Sequence, residues 1–495
     1  MTNESLEALG QRLRAVAGAV LPTPIEPLPD VADDVAQLLS ALVAATRDSL
    51  RADLAWILHA AASGHLPLAD DVVDLLRDLE LSRSSAEAEI AVLGRARSAI
   101  ATHGLPSGTL DVVVDRVVVD VSYTSQNDKH TGIQRVTREL CPRWEATHDI
   151  VLAAWTDSKS ALRRLRPHER HRVLAWADPL PQPAAGAEVP AILVPWHCTL
   201  LLPEVAKGRT SRHLAALAEH SGTAVAAVGH DTIPVVTADL RPVAEPNEFV
   251  GYLTTIKHTH RVAAVSRSAA AEFTGFAEAV RAQGLPGPEV VEVPNAAEVP
   301  EKYRGQGSAA TPRAGRRILC VGSHEPHKNH LAVLHAAELL WREGAAFELA
   351  FVGGPGWDTC EFDCRLAALK SAGRPIEDLG SVDDASLWSL YREAAFTVFP
   401  SLHEGFGLPV VESLASGTPV ITSAFGSMAE IAERGGCLLV DPHDDDALAA
   451  AMRTLLSNRQ VYDRLKGEAE AVTPRSWDTH AAEVWGFLVE GRVPR

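Results

Sequence analysis

Aromatic side chains are scarce in this chain, at 5% of 495 residues, and methionine occurs only 3 times. Alanine and arginine are plentiful instead, which gives helices of short side chains and arginine-rich surfaces. The 6 cysteines, Cys141, Cys198, Cys320, Cys360, Cys364 and Cys437, lie scattered. That spacing excludes a dense disulfide framework and the repeated CxxC of a zinc site, and fits reduced thiols in a cytoplasm. No uninterrupted apolar run reaches the roughly 18 residues that a membrane span needs. The opening "MTNESLEALGQRLRAV" also lacks a basic region followed by an apolar core. The expectation is a cytoplasmic protein, with room for peripheral contact at the inner face of a membrane. Positive charge is in deficit: 46 Lys and Arg stand against 64 Asp and Glu, a formal charge of −18. Such a field repels nucleic acid and anionic lipid over most of the surface, so nucleic-acid partners are excluded while a local basic pocket is not.

What is present divides the chain. Residues 1–110 read as an all-helical extension, because apolar residues recur at three and four in "ESLEALGQRLRAVAGAV", "DVAQLLSALVAATRDSLRADLAWILHAAASG" and "DVVDLLRDLELSRSSAEAEIAVLGRARSAIA". From "DRVVVDVSYT" onward short β-branched runs alternate with helical stretches: "RVVVDVS", "DIVLAAW", "AILVPW", "TAVAAVGH", "RVAAVS" and "EVVEVP". This predicts a parallel sheet covered on both faces over 111–305. After the hydrophilic bridge "AEVPEKYRGQGSAATPRAGR" a second series, "RILCVGS", "FELAFVGG", "DLGSV", "FTVFPS", "TPVITS" and "CLLVDP", predicts another such domain over 306–475. Residues 476–495 read as a final helix, with Trp477, Trp485 and Phe487 available to dock it on the first of these domains. The fold class is α/β: two doubly wound, Rossmann-like domains facing a cleft between the carboxyl ends of their sheets, where open sheets bind ligands.

The densest chemistry lies in "PSLHEGFGLPVVESLASGTPVIT", residues 400–422. A glycine loop leading from a strand into a helix offers unpaired amides and the positive end of a dipole, which suits a diphosphate. Glu404 precedes the loop and Glu412 lies one turn inside the helix; carboxylates grip vicinal hydroxyls of a hexose or a ribose. Taken singly, Glu412 reads as an acid complementing a helix dipole and Glu404 as a solvated loop residue. Their spacing, E-x7-E, around Gly405, Phe406, Gly407, Leu408 and Pro409 overturns that reading.

"HEGFGLPVVESLASGTPVI" resembles the nucleotide-sugar site of the retaining glycosyltransferases of GT-B architecture, family 4, including their mannosyltransferases, and the likeness extends over roughly residues 115 to 490. The resemblance implies that Glu404 binds the donor sugar, that Glu412 binds the ribose, and that backbone groups of Gly405 to Leu408 face the sugar and diphosphate. Gly426, Ser427 and Glu430 would lie near the same pocket. In "VGSHEPHKNH", Lys328 matches the phosphate-binding lysine, whereas Ser323 and His327 stand where the family often has an arginine. One positive charge is thus missing or comes from elsewhere; Arg135 is a candidate, and a protonated His327 a weaker one. Gly132 resembles the glycine of the first domain that admits the diphosphate and acceptor, with residues 122–131 bordering the acceptor. His230 and Asp231 resemble the family's "HD", the histidine facing the cleft as a donor to a sugar hydroxyl. Ser266 would start a helix beside the cleft, and Ala296 replaces the usual glycine of a "PNG" turn.

His324, His327 and His330 form H-x2-H-x2-H, but Pro326 interrupts the helix that three metal ligands at this spacing need, so no metal is expected there. Asp444 to Asp446 read as a helix cap rather than a magnesium site. The implied activity is transfer of a hexosyl group, with retention and without metal or cofactor, from a nucleotide diphosphate sugar to a glycan or lipid-linked glycan in surface polysaccharide synthesis. Glu404, His230 and Lys328 are its candidate catalytic residues. A nucleotide-sugar epimerase and a catalytically silent sugar-nucleotide-binding subunit are the alternatives.

Overall fold

The computed structural model describes residues 3–106, 108–179, 189–303 and 316–494. Most of the predicted bridge, 304–315, lies outside the described residues. Five helices open the chain: α1 (Asn3–Val20), α2 (Val31–Ser49), α3 (Ala52–Ser63), α4 (Ala69–Leu81) and α5 (Ser85–His103). Two of the periodic runs are each split in two. Leu50 takes a left-handed backbone with φ 47°, and its amide closes on Thr46 O, which ends α2 and lets α3 turn inward. α3 is buried on nearly every face, so it cannot continue the line of a surface helix. The second break comes where Ser84 caps α5 by accepting from Glu87 N at 3.2 Å. The bundle and the first sheet share one apolar core, running from Leu13, Leu38 and Trp56 through Val118 and Leu201.

The first sheet holds β1 (Leu110–Val113), β2 (Val117–Asp120), β3 (Ile150–Trp155), β4 (Leu162–Arg164), β5 (Ile192–Pro195), β6 (Thr199–Leu202), β7 (Ala224–Gly229), β8 (Arg261–Ala264) and β9 (Glu289–Glu292). Their order is β1-β5-β4-β3-β2-β6-β7-β8-β9. β4 is antiparallel to both its neighbours, so this sheet is mixed rather than wholly parallel. With three residues, two of them arginine, β4 carries no hydrophobic run to read. β6 follows β5 so closely that "AILVPWHCTLLL" looks like one strand. Between β2 and β6 the winding reverses, and α6 (Ser122–Gln126) and α7 (Gly132–Thr147) start from the β2 side of that reversal.

The second sheet comprises β10 (Arg317–Val321), β11 (Glu348–Val352), β12 (Ile376–Asp378), β13 (Phe396–Phe399), β14 (Val420–Ser423) and β15 (Cys437–Val440). All are parallel in the order β12-β11-β10-β13-β14-β15, and β12 lies slightly ahead of the predicted "DLGSV". The loops after β10 and β13 therefore leave the sheet in opposite directions and open the crevice that a doubly wound fold uses for ligands. The last helix, Trp477–Leu488, returns to the first domain: Trp144 Nε1 donates to Ala481 O at 3.0 Å, and His148 stacks on Trp485 at 3.8 Å. Asp444 accepts from Ala447 N at 2.9 Å, which makes it the cap of the helix Asp445–Ser457.

Candidate active site

The loop Pro400–Gly407 runs from β13 into the helix Leu408–Ala415. Gly407 takes φ 104° and no side chain caps the helix start; Pro409 carries no N–H and Val410 N closes on Gly407 O at 3.0 Å, so the helix begins tightly at the cleft with its positive dipole end uncapped by a side chain. The start of α7 is likewise without a side-chain cap. The two helix starts approach so closely that a Cβ on Gly132 would lie 3.3 Å from Leu408 Cδ1. Two positive dipole ends from two domains thus converge on one place, an arrangement suited to an anion.

Both glutamates of E-x7-E are turned inward, and each is held by a cation. Lys328 Nζ lies 2.6 Å from Glu404 Oε1, which also accepts from Ser401 Oγ at 2.7 Å. Lys328 reaches it from a 3-10 turn after β10, where Asn329, at φ 59°, ties the turn to Pro400 O and Pro442 O. Glu412 Oε1 pairs with Arg135 of α7, and Oε2 accepts from Tyr391 Oη at 2.9 Å. Arg135 and Glu412 side chains are only 9% and 5% exposed, and Arg135 also stands 5.6 Å from the Trp388 ring. Burial pushes the Glu412 carboxyl up, with Arg135 and Tyr391 pulling the other way. Burial also opposes the charge of Arg135, but Glu412 and Asp384 outweigh it. Arg135 therefore sits on the carboxylate read as the ribose ligand, not on the loop after β10.

The first domain closes directly on the glycine loop. A Cβ on Gly405 would meet His230 O at 2.0 Å, so only glycine fits there. Ser266, which caps the helix Arg267–Arg281, donates to Gly405 O at 2.6 Å and so clips the two domains together. His403 Nε2 lies 2.9 Å from Glu272 Oε1, and Thr232 donates to the other oxygen at 2.5 Å. Glu430 accepts from the amides of Arg267 and Ser268 at 2.9 and 2.6 Å, so it serves the neighbouring domain's helix start rather than the pocket. Ser427 donates to Glu404 O at 3.0 Å and supports the loop from behind. The Phe406 side chain packs against the core of the first domain, which leaves only its backbone to face a ligand.

Two sequence expectations change. His230 is buried and its Nε2 lies 2.7 Å from Pro203 O; a carbonyl only accepts, so that nitrogen donates. Burial lowers the ring to about 4, which keeps it neutral. Its remaining Nδ1 can then only accept, so His230 is not the donor to a sugar hydroxyl that its position suggested. His327 lies against Trp357, and burial, with Lys328 and Arg241 nearby, holds its pKa far below the ordinary histidine range. It cannot replace a missing arginine charge. Ser323 Oγ donates to Glu325 at 2.9 Å, and Asp231, half-buried with its carboxyl pushed up by desolvation, accepts from Ile233 N at 3.1 Å. Ala296 is buried and takes no left-handed backbone, so the "PNG" turn is not needed here. His324 and His330 face each other with Nδ1 atoms 3.2 Å apart, away from His327.

Sequence reasoning missed Tyr391, Trp388, Glu272 and Glu204. Glu204 accepts from Tyr123 N and Thr124 N at 2.9 Å and holds the start of α6 beside the cleft, its carboxyl pushed up to about 7 by burial. None of these four lies in a motif. His403 does, since it adjoins Glu404, and that adjacency was the available signal.

Residues 308–472 match the family model described as glycosyl transferases group 1. The serotype-specific mannosyltransferase WbdA of Escherichia coli is 27% identical over 336 residues, covering 64% of this chain and 39% of that protein. The O-antigen chain mannosyltransferase B of Escherichia coli is 38% identical over 135 residues, covering 27% of this chain and 34% of that protein. The chain thus spans well under half the length of these relatives. Among solved structures, Anabaena HepE in complex with UDP and glucose superposes with a TM-score of 0.52 at 12% identity, over 76% of this chain and 99% of that one.

Proposed function

We propose that this chain, whose residues 308–472 match the glycosyl transferases group 1 model, is a GT-B glycosyltransferase that moves a hexosyl group from a nucleotide diphosphate sugar to an acceptor hydroxyl of a growing glycan. The observation that carries this reading is the convergence of Lys328, Glu404 and two uncapped helix starts at one end of the cleft. Mannosyl is the first sugar to try, because both Escherichia coli relatives are named mannosyltransferases. HepE, named with UDP and glucose, supports a nucleoside diphosphate as the carrier.

In this reading the donor diphosphate lies on the amides of Gly405 to Leu408 and against Lys328. Glu404, released from Lys328, accepts hydroxyls of the sugar and orients it. The bond from C1 to the phosphate oxygen breaks, the acceptor oxygen bonds C1 on the same face, and the acceptor's proton passes to the leaving diphosphate. His230 Nδ1 accepts a hydrogen bond from a hydroxyl in the cleft. No metal and no cofactor enters, so a chelator leaves turnover unchanged.

Melting curves of the full chain with a panel of nucleotide sugars identify the donor by the largest upward shift. Turnover with that donor, followed by NMR of the product, then reads the anomeric configuration. A retained configuration is expected; an inverted one overturns the mechanism, and no shift with any donor overturns the function.

A further inference from the structure

Both carboxylates of E-x7-E are held by cations, and the two cations have different origins. Lys328 comes from the same domain as Glu404, whereas Arg135 crosses the cleft to Glu412. Arg135 stands one turn into α7, behind Gly132, and therefore close to the meeting point of the two helix starts. Glu412 is 3% exposed, with Arg135 covering one oxygen and Tyr391 the other, so no ligand reaches its remaining lone pairs while both stay in place. A ribose that is to bind Glu412 must displace one of them. Tyr391 is fully buried and belongs to the same domain as Glu412, so the arginine is the ligand that yields.

A guanidinium displaced within a buried site needs another anion. His327 is neutral and Ser323 carries no charge, so the loop after β10 contributes only Lys328 toward the two negative charges of a diphosphate. Resting on the donor reading above, we propose that Arg135 is an exchanging ligand. It holds Glu412 in the empty site and moves to the donor diphosphate when the ribose takes its place, so the second phosphate cation comes from the opposite domain. Two ion pairs within the protein are thereby traded for two cation–diphosphate contacts and two carboxylate–hydroxyl contacts. The trade places a cation from each domain on the diphosphate and so links donor loading to the approach of the two domains.

The exchange has a signature that a structural clasp lacks. Calorimetry is carried out on the full chain with guanosine and GDP, and with uridine and UDP. Arg135→Gln is expected to bind the preferred nucleoside at least threefold more tightly, because nothing competes for Glu412. It is expected to bind the nucleoside diphosphate at least tenfold more weakly. Glu412→Gln supplies the converse: Arg135 is freed, so inorganic pyrophosphate binds more tightly than to the unaltered protein while the nucleoside binds more weakly. This variant keeps the side-chain shape and stands in if Arg135→Gln does not fold. Arg453→Gln, at an exposed pair with Glu343, is the control and changes none of these affinities. Changes of the same sign for nucleoside and diphosphate in Arg135→Gln, or no gain of pyrophosphate affinity in Glu412→Gln, overturn the exchange and leave the donor reading intact. Failure of the unaltered protein to bind either diphosphate overturns both.

Discussion

Glu412 is the residue at which sequence and structure part company most instructively. As a glutamate one turn into a helix it complements no dipole; it is a buried ion held between Arg135 and Tyr391. Removing one partner of such a pair leaves the other charge uncompensated, which costs about 3–5 kcal/mol. Glu412→Ala is therefore expected to lower stability by that order, read by chemical denaturation, and to reduce the melting shift caused by the donor. Gly405 shows the opposite case, a residue important for what it lacks. A methyl group there would meet the His230 carbonyl, a backbone atom that cannot turn aside, so Gly405→Ala must hold the domains apart. Misplacement by about an ångström costs on the order of 100-fold in rate, and kcat is expected to fall by that much with the fold intact by circular dichroism.

At the scale of elements, the cleft is closed by contacts from helix starts and loop ends rather than by broad apolar faces. The pairing of His403 with Glu272 joins the glycine loop to the helix Arg267–Arg281, and Thr232 brings in the loop after β7. Burial disfavours the His403 cation, but Glu272, with Asp231 and Glu404 nearby, raises its pKa above the ordinary value. A histidine raised in the folded state contributes fully below its unfolded pKa, about 6.5, and the contribution is lost as pH rises through the folded value. The clasp should thus weaken above neutrality. Melting temperatures of the unaltered protein and Glu272→Gln, measured from about pH 6 to about pH 9, are expected to differ most at the acid end and to converge at the alkaline end. A constant gap would show that His403 does not titrate in this contact.

At the scale of the whole molecule, the N-terminal bundle is not an appended module. Its core is continuous with that of the first sheet, and Asp53 of α3 accepts from His197, just after β5, at 2.6 Å. His65 adds a contact to Ser160 Oγ at 2.8 Å. Removing residues 1–105 would bare the apolar surface beneath α1 and α3, so the truncated chain is expected to lose cooperative thermal unfolding and to aggregate. The intact bundle and first domain should melt in a single transition, by calorimetry.

The GT-B architecture, the glycine loop with its two glutamates and the lysine after β10 were all legible in the chain, because each rests on local pattern: β-branched runs of strand length, helical periodicity, and glycine between a strand and a helix. The antiparallel β4, the breaks at Leu50 and Ser84, and the short spacing of β5 and β6 were not, since each answers to what packs beside it. The same division runs through the site. Residue identity alone nominated Arg135, His230 and His327. Only the folded chain decided that Arg135 pairs with Glu412, that His230 spends its proton on Pro203 and that His327 stays uncharged. Charge state and hydrogen-bond direction depend on burial and on partners outside the local stretch, 27 residues away for His230 and 277 for Arg135, and no single motif contains them.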